Sequence, residues 1–185
     1  MIFDAPGQEN TAKAVQAAVE RARQLGIRQI VAASYRGTTA RELLPYAQEF
    51  DIVIVGQVYG FRGLHEENPM TEPVKAQLKG AGLQLLFATH ALSGAERSLS
   101  SRFSGIYPVE VMAHTLRMFG QGTKVCVEIS CMAMDAGLIA PGQDIVAIAG
   151  TGKGADTALV LRPAHTQRVI ETKIQEIICK PRLVD

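Results

Sequence analysis

Residue types that can bind a phosphate are concentrated in one short segment, residues 34–39, between an apolar run and a helix-like run. A strand followed by a tight turn and a helix start directs free backbone N–H groups towards one point, where the helix dipole adds partial positive charge. Hydroxyl groups, an arginine and a glycine that permits close backbone approach complete a phosphate cradle. These candidate ligands are Ser34, Arg36, Gly37, Thr38 and Thr39.

The same segment has a second interpretation, in which it only begins a helix. Thr39 and Glu42 have the Thr-x-x-Glu spacing of a capping box, which satisfies the first N–H groups of a helix without any ligand. We expect one of the two threonines to cap the helix. Phosphate binding by the remaining groups stays open at this point.

A glycine-rich loop follows a later apolar run and could form another part of the site. It offers Gly150, Thr151, Gly152, Lys153 and, after Gly154, Asp156. The loop lacks the glycine spacing and the following helix of a P-loop or a dinucleotide fingerprint. It could wrap a cofactor, with Lys153 supplying charge, or form a tight hairpin turn. Asp156 could accept hydrogen bonds from a polyol chain of the ligand or cap a turn.

Two further loops after apolar runs carry polar and aromatic side chains. We expect contacts with a ligand from Phe61 and Arg62 in the first loop, and from Thr89, His90, Arg97 and Arg102 in the serine-rich second loop, residues 89–107. Glu128 is the one acid inside an apolar helix, away from its ends. It could orient a ligand or a loop, or pair with an arginine or a backbone amide.

Several classes of function lack support in the sequence. The histidines do not have metal-ligand spacing, and no Gly-x-Ser-x-Gly elbow is present, so we expect neither a metal site nor a serine hydrolase. The net charge of +1 does not favour a nucleic-acid partner. Without a membrane span or a leader-like start, we expect a cytoplasmic protein. The three cysteines lie among apolar residues and are expected to be reduced.

Strand-like and helix-like runs alternate along the chain, which predicts an α/β domain, residues 1–185, with a mostly parallel sheet covered on both faces. The expected strands are 29–33, 51–56, 83–88, 144–149, 157–161 and 174–179, and the expected helices are 11–25, 39–44, 71–82, 108–119 and 124–136. All the functional-looking loops follow strands. Ligands of such sheets bind at the carboxyl ends of strands, near the point where strand order reverses.

These residues resemble the C-terminal domain of pyruvate kinase and, more closely, stand-alone archaeal and bacterial proteins similar to that domain. The matching stretches are residues 6–11, 30–40, 60–62, 90–94, 108–110, 124–128, 135–139, 144–151 and 154–161. The resemblance implies a three-layer α/β/α sandwich whose last strands run antiparallel, with flavin mononucleotide (FMN) in the cleft. It implies no kinase activity, because the catalytic barrel is not part of it.

We therefore expect a domain that binds FMN or a similar phosphorylated ligand, with flavin-dependent oxidation or reduction if it is an enzyme. No residue can be named as acid or base. The alternatives are a regulatory sensor of a phosphorylated sugar or nucleotide, and an oligomer-forming module without chemistry. The apolar helices 108–119 and 124–136 predict a homo-oligomer, unless they fill the core of a monomer.

Overall fold

The computed structural model describes residues 1–63 and 65–183, which form seven strands and six α-helices. The strands are β1 (Ile2–Phe3), β2 (Gln29–Ala33), β3 (Asp51–Val55), β4 (Gln84–Leu86), β5 (Ile145–Ala149), β6 (Thr157–Arg162) and β7 (Lys173–Pro181). The helices are α1 (Thr11–Leu25), α2 (Thr38–Leu43), α3 (Glu72–Gly80), α4 (Gly94–Phe103), α5 (Pro108–Arg117) and α6 (Gln121–Asp135). As Pro45 predicts, α2 ends early and continues as a 3-10 turn, Leu44–Tyr46.

The seven strands form one sheet in the order β1-β7-β6-β5-β2-β3-β4. Strands β5, β2, β3 and β4 are parallel, and β6 is antiparallel to both β5 and β7. Strand β1 pairs in parallel with β7, so β6 alone runs against the other strands. The expected antiparallel end of the sheet is thus confined to one strand, and the α/β fold with a mostly parallel sheet is confirmed.

Helices cover both faces of the sheet, which gives the expected three layers. Alternation of side chains along the strands sends Ile30 and Ala32 to one face, against α1, α2 and α3, and Val31 to the other face, against α5 and α6. Because both faces are apolar, the central strands read as continuous hydrophobic runs. The sheet is therefore a rigid support for the loops at its carboxyl edge.

Helix α6 lies in the core of the protein. Its residues from Gly122 to Met134 are buried with the exception of Val125, and it packs on β2, β5 and β6. The sheet of its own chain covers its apolar surface, so the apolar character of α6 does not by itself require a partner. Helix α5 packs on α6 and leaves Val111 half exposed.

Two elements differ from the sequence-based expectations. The serine-rich segment, expected to be a loop, contains α4. The Glu96 carboxylate accepts hydrogen bonds from the N–H groups of Val109 and Glu110, which hold α4 against the start of α5. Strand β1 was not expected. It is two residues long and depends on its pairing with β7, where the ammonium group of Met1 also donates to the Ile178 carbonyl at 2.7 Å.

The cysteines, Cys126, Cys131 and Cys179, are buried and free, as expected. Within residues 1–63 and 65–183, no group of three or more metal-ligating side chains is found. Over the same ranges, no helix has the length and apolarity needed to cross a membrane.

Candidate functional site

A cleft of about 530 Å³ opens at the carboxyl ends of β2, β3 and β5. From β2 the chain continues to β3 on one side, while β5 lies on the other side, so the cleft is at the point where strand order reverses. Its polar and aromatic lining residues are Gln8, Ser34, Tyr35, Arg36, Thr38, Thr39, Gln57, Phe61, His90, Arg97, Arg117, Gln121, Lys124, Glu128 and Lys153. The loops after the strands and the helices of one layer together form this cleft.

The turn after β2 is stabilised by Ser34 rather than by a threonine. The Ser34 hydroxyl accepts a hydrogen bond from the N–H of Ala40 at 3.2 Å, and Gly37 occupies the N-cap position without a side-chain bond. The expected Thr39–Glu42 capping box is therefore wrong. Gly37, with φ +92°, turns the chain so that α2 begins at Thr38, which leaves the acceptor role to the earlier serine.

Gly37 has a packing role that the sequence did not reveal. A Cβ atom at this position would lie 2.5 Å from Cγ1 of Val74, which belongs to α3. Gly37 does not line the cleft, so its missing side chain lets α3 approach the turn rather than giving a ligand access to it. A substitution at Gly37 would therefore disturb the fold and any bound ligand together.

The glycine-rich loop joins the antiparallel strands β5 and β6, as the hairpin interpretation expected. Asp156 is fully buried and holds the loop in place. One carboxylate oxygen accepts from the N–H groups of Thr151 and Gly7 at 3.1 and 3.3 Å, and the other from the Thr157 hydroxyl at 2.7 Å. The turn-capping interpretation of Asp156 accounts for these contacts. Lys153 of the same loop lines the cleft.

Helix α6 contributes a buried ion pair to the lining of the cleft. Lys124 Nζ donates to one Glu128 oxygen at 2.5 Å, and the other oxygen accepts from the N–H of Leu92 at 2.9 Å. Burial lowers the pKa of Lys124, and repulsion from Arg117 and Arg97 adds to that effect. The expected contact of Glu128 with a backbone amide is confirmed, and its charged partner is a lysine rather than an arginine.

Aromatic rings also line the cleft. The Phe61 ring is 5.6 Å from the His90 ring, and the Arg97 guanidinium lies 5.6 Å from the centre of Phe61. Burial lowers the pKa of His90 and so favours the neutral imidazole. The guanidinium groups of Arg36 and Arg62 lie 5.7 and 5.9 Å from the centre of the Tyr35 ring. The ring faces and cations together suit a flat, anionic ligand.

The structure brings together most, but not all, of the expected ligand contacts. Those that line the cleft are Ser34, Arg36, Thr38, Thr39, Phe61, His90, Arg97, Gly150, Gly152 and Lys153. Those that lie outside its lining are Gly37, Arg62, Thr89, Arg102, Thr151 and Asp156. The sequence analysis missed Tyr35, Gln57, Arg117, Gln121 and Lys124. For Lys124 a signal existed, because a lysine and an acid four residues apart in an apolar helix are one turn apart and can pair.

Comparison with known proteins gives one family. The family model described as pyruvate kinase, alpha/beta domain, matches residues 12–161. Among solved structures, Cryptosporidium parvum pyruvate kinase in complex with ADP is 16% identical, with 89% of this chain and 23% of that chain covered and a TM-score of 0.40. A second pyruvate kinase structure from Cryptosporidium parvum is 15% identical, with coverages of 83% and 23% and a TM-score of 0.44.

The chain thus spans about a quarter of the length of the pyruvate kinases that it matches, 23% in both cases. The family model, by contrast, covers most of this chain, from the first residues of α1 to the end of β6. With the fold and the match in agreement, the chain belongs to the family of the pyruvate kinase α/β domain.

Proposed function

We propose that the cleft binds a phosphorylated ligand with an aromatic ring, and that this ligand is FMN. The observation that carries the proposal is the charge of the lining. Five lysine and arginine side chains line the cleft and one carboxylate, Glu128, opposes them. The whole chain has 19 basic and 18 acidic residues, so this imbalance is local to the cleft. A positively charged cleft attracts and holds an anionic ligand.

The phosphate would be held at the turn after β2. The hydroxyls of Ser34 and Thr38 and the guanidinium of Arg36 lie there, next to the first N–H groups of α2. Ser34 accepts a hydrogen bond from Ala40, so its own hydroxyl proton is free to be donated to a phosphate oxygen. Lys153 supplies a second cation from the loop after β5. Hydrogen bonds between cations and a phosphate are about twice as strong as neutral ones.

The ring would lie against the aromatic part of the lining, Tyr35 and Phe61. The fit of a polar heterocycle is supported by Gln57 at the same edge, whose buried side-chain nitrogen has no hydrogen-bond partner among the described residues. A buried donor without a partner costs about 1–3 kcal/mol, which a ligand that reorients the amide would remove. Bound FMN would supply one- or two-electron redox chemistry, and the protein would bind and orient it.

The second candidate is a sensor that binds a phosphorylated sugar or nucleotide without catalysis. It is favoured by the distribution of the cations, since Arg36 and Lys153 follow strands while Arg97, Arg117 and Lys124 belong to helices. Such a distribution also suits a ligand with several phosphates. The kinase reaction is not part of either proposal.

The test is a titration of the ligand-free protein with FMN and with riboflavin, in which binding is measured by the quenching of flavin fluorescence. Riboflavin lacks the phosphate, so we expect FMN to bind at least about a hundredfold more tightly through two or more charge-assisted hydrogen bonds. Arg36→Gln should weaken FMN binding and leave riboflavin binding unchanged. The matched control is Arg41→Gln, an exposed arginine of α2 outside the cleft. Equal affinities for the two flavins would refute the phosphate cradle.

We also propose that the protein is a homo-oligomer, on a basis that differs from the sequence-based one. Helix α6 is internal, but large apolar side chains remain exposed on α4, α5 and the segments that follow them. They are Leu99, Phe103, Ile106, Val111, Met118 and Phe119. Exposed apolar patches are typical of interfaces. Light scattering tests this: a mass near 19.9 kDa at every concentration would refute it.

A further inference from the structure

Three cations from three different helices lie on the wall of the cleft that α4, α5 and α6 form. They are Arg97, Arg117 and Lys124. All three line the same cleft, and repulsion from both arginines adds to the lowering of the pKa of Lys124. The phosphate cradle, in contrast, is formed by the turns after β2 and β5, and α2 belongs to the opposite helical layer. The cations of the cleft therefore come from two parts of the fold, the turns after β2 and β5 and the helices α4, α5 and α6.

The charge on this helical wall is only partly neutralised. Glu128 is the one carboxylate in the lining, and both of its oxygens are already bonded, one to Lys124 at 2.5 Å and one to the N–H of Leu92 at 2.9 Å. Within the described part of the chain, neither Arg97 nor Arg117 is in an ion pair. The cluster therefore keeps an excess of two positive charges.

One arginine of the cluster is held in a defined orientation. Nε of Arg117 donates to Oε1 of Gln121 at 2.7 Å, and Gln121 itself lines the cleft. This bond uses one edge of the guanidinium, and the terminal amino groups remain for another acceptor. Arg97 is placed differently, with its guanidinium 5.6 Å from the centre of the Phe61 ring. Guanidinium groups held in this way can donate paired hydrogen bonds to the oxygens of a planar carboxylate or a tetrahedral phosphate.

We propose that Arg97, Arg117 and Lys124 form a second anion subsite, which binds the carboxylate or phosphate group of a small co-ligand beside FMN. This inference rests on the proposed function, because FMN carries one anionic group, its phosphate, and the cradle accounts for that group. With FMN bound in the cradle, the cations of the helical wall are left for an anion from another molecule. If the protein is an enzyme, its organic substrate is a small acid or phosphate ester.

The probe is inorganic phosphate, added to 15N-labelled protein while the Nε–Hε resonances of the arginines are recorded. The titration is done with ligand-free protein and with protein saturated with FMN. We expect saturable shifts of the Arg97 and Arg117 resonances in both. Arg117→Gln should weaken phosphate binding to the FMN-saturated protein about tenfold or more, the effect of losing a charged hydrogen bond. Its FMN affinity is measured alongside and should fall by a smaller factor than its phosphate affinity, because Arg117 lies outside the cradle but still adds to the charge of the cleft.

The control variant is Arg168→Gln, an exposed arginine in the 3-10 segment Thr166–Glu171, outside the cleft. It should titrate like the wild type, and an equal weakening there would overturn the subsite, since the response would then be general charge screening. If FMN binds but phosphate no longer shifts Arg97 and Arg117, the co-ligand site is refuted and the proposed function stands. If FMN does not bind and phosphate still shifts both resonances, the anion subsite is supported and the FMN proposal fails.

Discussion

The ion pair between Lys124 and Glu128 should contribute strongly to stability, and Glu128→Leu tests this. Both side chains are buried, 4% and 5% exposed, so the remaining lysine would lose its counter-charge in a poorly solvated place. Breaking a buried pair by removing one partner costs about 3–5 kcal/mol. The Leu92 N–H also loses its acceptor, which costs about 1–3 kcal/mol where no water replaces it. We expect the unfolding free energy to fall by about 4–8 kcal/mol.

A double-mutant cycle isolates the pair. Lys124→Met alone leaves a buried carboxylate with one hydrogen bond and should cost about 3 kcal/mol. The double variant Lys124→Met/Glu128→Leu contains no buried charge at these positions, so its cost should be smaller than the sum of the two single costs by about 2–3 kcal/mol. Urea unfolding of ligand-free protein at pH 7, followed by circular dichroism, measures all three.

Glu128→Gln is the control that keeps the shape. Its side-chain oxygen can still accept from the Leu92 N–H, so it should be less destabilising than Glu128→Leu and should remain folded for measurement. Single costs that add within about 0.5 kcal/mol would refute the coupling of Lys124 and Glu128. A Gln variant as unstable as the Leu variant would show that the Leu92 contact does not contribute.

Three further predictions concern the cap, the imidazole and the thiols. Ser34→Ala should lower the unfolding free energy by about 1–2 kcal/mol, while Thr38→Ala changes it by less than about 0.5, in urea titrations; similar costs for both would contradict the assigned cap. Because burial lowers the pKa of His90 below its usual 6.5, the unfolded chain binds a proton before the folded one. Stability should therefore fall between pH 7 and 5, less so in His90→Gln, and parallel pH profiles would refute this. Burial raises the pKa of all three cysteines, that of Cys179 to about 11, so Ellman's reagent at pH 8 should react only after unfolding.

The sequence predicts well those parts of the fold that depend on local patterns. The strand from Gln29 to Ala33 has its expected bounds, and the buried helix Gln121–Asp135 lies within a few residues of its expected bounds, because continuous apolar runs determine both locally. Pairing over long distances is not predictable in this way. Strand β1 has two residues and exists only because β7 lies beside it.

The candidate site was predictable at the loops and not at the helices. Side chains that follow strands must lie at the carboxyl edge, so Ser34 and Lys153 could be expected there from the strand assignment alone. Whether Arg117 or Gln121 reaches the same cleft depends on how α5 packs on α6, which no local pattern states. The prediction of the cap was wrong for a related reason. Gly37 occupies the N-cap position, and the Ser34 hydroxyl, not a threonine, accepts the hydrogen bond from the N–H of Ala40.

The glycine-rich loop is bonded to Gly7 and to Thr11, the first residue of α1, and these bonds affect how the cleft can open. The Thr11 hydroxyl accepts from the N–H of Ala155 at 3.0 Å, and the Gly7 N–H donates to Asp156. Gly154 lies so close that an added Cβ would be 2.7 Å from the Cα of Gln8. Opening this side of the cleft would break several contacts at once. We therefore expect ligands to enter and leave on the opposite side of the cleft, and the amide hydrogen of Ala155 to exchange slowly with solvent.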